Sequence, residues 1–408
     1  MKCRHCKTLL KNTFIDLGYA PPSNAYLNEN DLNRPEIYYP LKIKVCNKCW
    51  LVQTEDFADA EALFTSDYAY FSSTSSSWLL HAKEYAKKMI KDLNLNNKSM
   101  VIEVASNDGY LLKNFIKEKI PCLGIEPTKS TADVAKKLNI PVIVDFFSET
   151  LGKKIVSEKK KADLIIGNNV YAHVPDINDF TRGLKTALKS DGLITLEFPH
   201  VMNLIKLNQF DTIYHEHFSY LSLDTVNRIF SSEGLRVWHV EKLATHGGSL
   251  RIYGCHENDK RKNNESVIKL LNEESNAGLQ TLETYLNFKD QVNKIKNDLI
   301  SFLIQQKNKG HKVIAYGAAA KGNTLLNYAG VRGDLVDFVV DKSSFKIGKY
   351  LPASHIQIFN EEKIRKVRPD YVLILPWNIQ DEIQKQLSYI KDWNGKFLVA
   401  VPELKIIN

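Results

Sequence analysis

Three signatures are missing from this chain, and each absence narrows what it does. The dinucleotide fingerprint G-x-G-x-x-G does not follow its first strand-like segment. Without those glycines close approach of a pyrophosphate is disfavoured, which weakens a reading as a nicotinamide dehydrogenase. No apolar run comes near the ~18 residues of a membrane span, and the opening Met1-Lys2-Cys3-Arg4-His5-Cys6 lacks a signal-peptide pattern. The expectation is a cytoplasmic protein without a membrane partner. Nor is charge of one sign concentrated: the formal +8 is scattered among acids, as on a solvated surface rather than a nucleic-acid footprint.

What remains is an ordinary globular composition, with 44% hydrophobic and 25% charged residues in 408, and length for two or three domains. Four of the six cysteines form two pairs, Cys3-x2-Cys6 and Cys46-x2-Cys49. In a chain with no export signal this spacing reads as a metal site before disulfides. The first ~60 residues are irregular and rich in turn signals (Gly18, Pro21-Pro22, Pro35, Pro40), and zinc on four thiolates would staple them. Cys122 and Cys255 lie in strand-like segments and read as buried thiols.

From residue 99 strand and helix patterns alternate, which implies a mostly parallel sheet. Strands are expected at 100–105, 122–126, 142–144, 162–167 and 192–198, with helices at 110–119, 131–138 and 177–188 between them. After a helix at 225–233, strands at 235–243 and 249–255 would close the sheet as an antiparallel pair. Seven strands ending in such a hairpin follow the plan of class I methyltransferases. Residues 265–310 repeat leucines at near-helical spacing, and a second, smaller βα pattern starts at 312, with strands at 336–340, 371–375 and 396–401. The fold class is therefore α/β. A zinc-binding domain is expected at 1–65, a methyltransferase domain at 66–260, and a helical linker with a Rossmann-like domain at 261–408. The polar-aromatic stretch 68–81 suits either a flexible linker or the wall of a pocket.

The run Glu103-Val104-Ala105-Ser106-Asn107-Asp108-Gly109 ends the first strand of that sheet and opens a helix. Gly109 lets the chain turn, and Ser106 and Asn107 favour turns or caps. Glu126, ending the next strand, is placed for ribose hydroxyls, and Asp145, after the third, for an adenine amine. Glu103 or Asp108 is a candidate for the charged amino-acid end of a phosphate-free cofactor; S-adenosylmethionine is such a cofactor. Ligands on open α/β sheets bind beyond the carboxyl ends of strands, and those ends also carry Asn168, His173, Glu197 and His200.

Beyond these strands stands Tyr214-His215-Glu216-His217. A base, a group to orient it and a hydroxyl donor are what proton abstraction beside a carbonyl requires. In an extended run, His215 and His217 would point one way and Tyr214 and Glu216 the other; all four meet one ligand only if the loop bends. The run also admits readings as a hydrogen-bonded structural cluster or a His-x-His metal site, the latter with no further ligands nearby. Farther on, Gly317-Ala318-Ala319-Ala320-Lys321-Gly322-Asn323-Thr324 opens a helix where backbone amides and Lys321 could meet a diphosphate. Asp341, Lys342, Lys346 and Asn378 follow neighbouring strand ends.

Taken in order, these blocks resemble the nucleotide-sugar C-methyltransferases over nearly the whole chain. The resemblance rests on the twin Cys pairs, Tyr-Phe-Ser-Ser at 70–73, Ser-Asn-Asp-Gly at 106–109, Tyr-His-Glu-His at 214–217, Thr-His-Gly-Gly-Ser-Leu-Arg at 245–251 and Gly-Ala-Ala-Ala-Lys-Gly-Asn-Thr at 317–324. One departure is Ala105, where a glycine is expected. The resemblance implies S-adenosylmethionine, a structural zinc on Cys3, Cys6, Cys46 and Cys49, and methylation of a dTDP- or GDP-linked 4-keto-6-deoxysugar at carbon 3 by a monomer. It implies His217 as base, with Tyr214 and Glu216 assisting; on chemistry alone, Tyr214 and His215 or His173 are candidate donors to the enolate oxygen. Tyr70 and Ser73 would join the cofactor site, and Tyr68, His246, Arg251, Asn323 and Thr324 the sugar site.

A carbon beside a ketone is a poor nucleophile until deprotonated, and its mismatch with a histidine near 6.5 is roughly a dozen pKa units, or about 16 kcal/mol. Donors aimed at the enolate oxygen, about 3–4 kcal/mol each, must share that with positioning. The rivals are a methyltransferase acting on oxygen or nitrogen, and one guided to RNA by its zinc module. For the latter, Lys42–Trp50 offers only a little basic-aromatic interleaving.

Overall fold

The computed structural model describes residues 1–55, 57 and 71–407. Tyr68 and Tyr70 therefore lie outside the described residues. Three strands, β1 (Asn12–Ala20), β2 (Tyr39–Val45) and β3 (Val52–Thr54), form an antiparallel sheet at the N-terminus. In β2 the apolar Leu41, Ile43 and Val45 face inward, and Lys42 and Lys44 alternate with them, the period of a sheet with one wet face.

The second sheet is built from β4 (Val101–Val104), β5 (Cys122–Ile125), β6 (Val142–Ile143), β7 (Ala162–Asn168) and β8 (Leu188–Pro199). A two-residue strand, β9 (Ser219–Tyr220), leaves it to pair with β3 and completes the N-terminal sheet. The hairpin β10 (Leu235–Leu243) and β11 (Ser249–His256) then returns. The order is β10-β11-β8-β7-β4-β5-β6, parallel except at β11/β8 and β10/β11. Strands β4 and β5 are buried at every residue, because helices cover both faces of a parallel sheet. The chain reverses its direction of progress between β4 and β7, so the crevice of the sheet opens at their carboxyl ends.

Besides the short helix Val201–Lys206, the helix Glu149–Glu158 in this unit was not anticipated. It carries a glycine in its second turn, a local signal against a helix. That glycine is needed where it packs: a Cβ on Gly152 would stand 3.0 Å from the carbonyl oxygen of Gly183 in the neighbouring helix.

The helix Phe288–Asn308 buries Val292, Ile295, Leu299 and Leu303 in one core with Phe14 and Ile43 of the first sheet and Val313 and Leu326 of the third unit. The third sheet comprises β12 (Val313–Tyr316), β13 (Val339–Val340), β14 (Ile358–Phe359), β15 (Tyr371–Ile374), β16 (Lys396–Val399) and β17 (Lys405–Ile407), in the order β14-β13-β12-β15-β16-β17. Among the described residues no helix is long and apolar enough to cross a membrane.

Candidate active site and zinc centre

The two cysteine pairs repeat one local geometry. Lys7 and Trp50, each just past its second cysteine, take left-handed φ values of 59° and 62°. Their amides donate to the carbonyls of Cys3 and Cys46, each at 3.0 Å. This brings all four sulfurs within 4.8 Å of one another, with Cys3–Cys49 and Cys6–Cys46 at 3.5 Å. Tetrahedral zinc with Zn–S near 2.3 Å asks for sulfurs about 3.8 Å apart. Gln53 Nε2 donates to Cys3 Sγ at 3.3 Å, which favours a thiolate, and the donor set fits zinc.

A cavity of about 840 Å³ lies at the carboxyl ends of β4 and β7 and is also lined by residues of the other two units. After β4 the backbone takes φ values of 57°, 50° and 79° at Ala105, Asn107 and Gly109. The expected glycine at 105 thus has a backbone reason: alanine occupies a left-handed position that glycine adopts at no steric cost. Gly109 has a second constraint, since a Cβ there would meet Ile140 at 2.4 Å. Glu126 spans the loop, accepting from the amides of Asn107 and Thr128 at 2.9 Å each.

Of the cofactor candidates, Ala105, Asn107, Glu126, Asp145 and Asn168 line the cavity. Glu103 does not. It is wholly buried, and burial followed by repulsion from Glu126 and Asp108 holds its carboxyl well above the ordinary range. Ser106, Asp108 and Gly109 also lie outside the lining, shaping the loop from beneath. The exposed Ser73 contributes its amide, which donates to Asp108 Oδ2 at 3.0 Å, while its neighbour Ser72 lines the cavity. The side-chain carbonyl oxygens of Asn168 and Asn169 are buried there with no partner among the described residues. Those acceptors suit an ammonium group, and the set fits S-adenosylmethionine.

The histidine-rich run is a bend. The His217 amide donates to the Tyr214 carbonyl at 3.0 Å, which brings the two rings to 4.0 Å between centroids, and both line the cavity. His173 packs edge-on to His217 at 4.6 Å and hydrogen-bonds the Glu216 backbone. His217 Nδ1 donates to the Thr212 carbonyl at 2.9 Å, so the lone pair is on Nε2. Burial, then repulsion from His173, holds this imidazole well below 6.5, and burial pushes His173 down to about 4. Glu216 and His215 turn away. Glu216 accepts from Asn24 Nδ2 at 3.1 Å and His215 Nε2 meets the Tyr39 carbonyl at 3.3 Å; neither lines the cavity.

The sugar-site candidates divide as well. His246, Lys321 and Lys346 line the cavity; His246 Nε2 accepts from Asn169 Nδ2 at 3.1 Å. Arg251 is locked in the sheet, 2.8 Å from Glu197 and 4.5 Å over the Tyr85 ring. Asn323 donates to the Ser23 carbonyl at 2.6 Å and Thr324 to the Ile213 carbonyl at 2.8 Å, so both join chain segments and stand off the cavity. Asp341 is closed on the amides of Ala318 and Ser343 at 2.7 and 2.8 Å. Asn378 accepts from Lys321 Nζ at 2.7 Å, and Lys342 is exposed outside the lining. Asn169, next to Asn168 at the same strand end, lines the cavity too, as do Asn24 and Trp78, which were not singled out. Trp78 sat in an aromatic stretch that was a signal; Asn24 carried none.

The strand order and the loop at the switch point define a class I methyltransferase. Comparison with known proteins narrows this: residues 78–240 match the family described as "Methyltransferase domain", 3–64 "Putative zinc binding domain" and 244–402 "C-methyltransferase C-terminal domain". C-methyltransferase NovU of Streptomyces niveus is 31% identical over 407 residues, covering 100% of this chain and 97% of that protein. The chain belongs to the C-methyltransferase family, as an S-adenosylmethionine-dependent enzyme with a structural zinc. Solved structures overlap only in part. A methyltransferase from Clostridium acetobutylicum covers 44% of this chain and 92% of its own at 11% identity and TM-score 0.36. Magnesium protoporphyrin IX methyltransferase from Synechocystis covers 44% and 79% at 12% identity and TM-score 0.34.

Proposed function

We propose that the enzyme removes the proton beside the ketone of a nucleoside-diphosphate 4-keto-6-deoxysugar, dTDP- or GDP-linked, and methylates that carbon, carbon 3. His217 carries this reading. Its Nδ1–H is committed to the Thr212 carbonyl at 2.9 Å, and the ring lines the cavity beside Tyr214. Nε2 takes the proton from carbon, and the Tyr214 hydroxyl donates to the oxygen that becomes an enolate. A neutral imidazole is available at once as a base, and the enolate's charge then favours the imidazolium it becomes. Asn107, Glu126, Asp145 and Asn168 would hold S-adenosylmethionine, which supplies an electrophilic methyl on a sulfonium. Lys321 and Lys346, on the third unit's side of the cavity, supply positive charge for the diphosphate. A monomeric enzyme in the cytoplasm suits such a substrate.

His217→Asn in deuterated buffer tests the base. With a panel of these keto sugars the wild type should wash deuterium in beside the ketone and gain a carbon-bound methyl. The variant should lose both by at least about 10²-fold while its cofactor affinity stays within about twofold. Wash-in at a near-normal rate in the variant would remove His217 as the base.

A further inference from the structure

Glu216 is the one member of the catalytic bend that is wholly buried, and it points at the N-terminal unit. Its partner Asn24 stands in the connection between β1 and β2, the sheet that carries the zinc cysteines, and also lines the cavity. This connection is pinned on its other side by the third unit. Asn323 Nδ2 donates to the Ser23 carbonyl at 2.6 Å, and Tyr26 Oη to the Ala318 carbonyl at 2.6 Å. Thr324 holds the residue preceding Tyr214 through the Ile213 carbonyl at 2.8 Å. The bend is thus gripped from both neighbouring units; at its tip Asn24 holds Glu216, and the Tyr39 carbonyl meets His215 Nε2 at 3.3 Å.

We propose that Asn24 is a positioning residue for methyl transfer: its side-chain amide, donated to Glu216 Oε1, holds the Tyr214–His217 bend against the cavity. The proposal rests on His217 acting as the base. It gives the zinc-binding domain a part in the chemistry. Without the Asn24 side-chain donor, Glu216 keeps only the backbone donors of Asn24 and of Glu216 itself, and the grip on the bend loosens. A shift of about 1 Å in a positioned base costs on the order of 10²-fold in rate.

Three full-length, zinc-loaded variants test this: Asn24→Ala, Asn24→Asp, and Asn24→Asp combined with Glu216→Gln. The last restores a donor–acceptor pair with its direction reversed. Exchange of the His217 backbone amide reads the bend without substrate, and deuterium wash-in and kcat on dTDP-4-keto-6-deoxyglucose read the chemistry. Asn24→Ala should speed that amide's exchange about 10-fold or more and lower wash-in and kcat by about 10- to 100-fold, with KM and S-adenosylmethionine affinity within about twofold. Asn24→Asp should fall at least as far, and the double variant should recover most of the loss. Unchanged amide exchange in Asn24→Ala, or a folded double variant no better than Asn24→Asp, overturns the proposal. If His217→Asn keeps its wash-in, the base reading fails by itself, and amide exchange still decides whether Asn24 holds the bend.

Discussion

Burial governs the titration of the side chains around the cavity. His217, His173 and His246 are all held below the ordinary 6.5, with burial as the largest cause in each. A histidine whose folded pKa is depressed stays neutral in the folded protein below 6.5 while the unfolded chain takes up its proton. Stability therefore falls as pH drops from 6.5 towards the folded value, by about 1.4 kcal/mol per pH unit per group. For turnover, the acid limb of kcat/KM should lie well below pH 6.5, and a pH–rate profile checks it. Asp211 works in the opposite sense. Burial pushes its carboxyl up to about 6 although it accepts from Trp377 Nε1 at 2.7 Å, so ionising it destabilises the fold as pH rises from 3.8 to 6. Asp211→Asn keeps the acceptor and removes that charge; it should stabilise by about 1–3 kcal/mol at pH 8 and by nothing below pH 4. Melting temperatures across that range test it. Tyr214 and His217 were recognisable as chemistry in the sequence, but the side on which each neighbour points was not. Period-two alternation put Tyr214 opposite His217, whereas one turn hydrogen bond puts them together and sends Glu216 to Asn24.

Elements show the same division between pattern and partner. Leucine spacing disclosed helices across 265–310, and one of them is Glu265–Asn276. Nothing in that spacing indicated that Glu274, wholly buried, would cap another helix. Its carboxylate accepts from the amides of Leu223 and Asp224 at 2.6 and 2.9 Å, at the start of the helix Leu223–Ser232, and from His200 Nε2 at 2.7 Å. Glu274→Ala leaves two buried donors and the part-buried Asp224 amide without this acceptor and should cost about 3–5 kcal/mol; Glu274→Gln, which keeps an acceptor, should cost less. Denaturant unfolding measures both. The overlooked helix Glu149–Glu158 fails in the same way, because Gly152 weakens it locally and is required only by contact with Gly183.

Three sheets share one cavity, and the zinc centre ties the smallest of them to the rest. Arg4, between two of the cysteines, donates to the Pro175 carbonyl at 2.6 Å and the Thr54 carbonyl at 3.2 Å, and Thr225 Oγ1 donates to the Cys49 carbonyl at 3.3 Å. Zinc contributes about 10–16 kcal/mol to folding such modules. Chelation should therefore release one zinc per chain, lower the melting temperature and abolish turnover, with recovery on adding zinc; metal analysis alongside activity follows all three. A metal-free enzyme of full activity and unchanged melting temperature would refute the structural role.

The succession of strands and helices, the zinc ligands, the cofactor loop and the presence of Tyr214 and His217 in one run were legible in local chemistry: spacing of thiols, period of apolar residues, and turn-forming residues between strand and helix. These signals survive in one dimension because each depends on neighbours a few residues away. Asn24 against Glu216, Arg251 against Glu197, and Asn323 against Ser23 were decided only in the folded chain. Each pairs residues between 54 and 300 positions apart. Such partners are selected by burial, which obliges a polar group to find whichever complement the packing brings within reach. For that reason the sequence pointed to a carbon methyltransferase, while the fold alone chose which of its polar residues face the cavity and which hold it together.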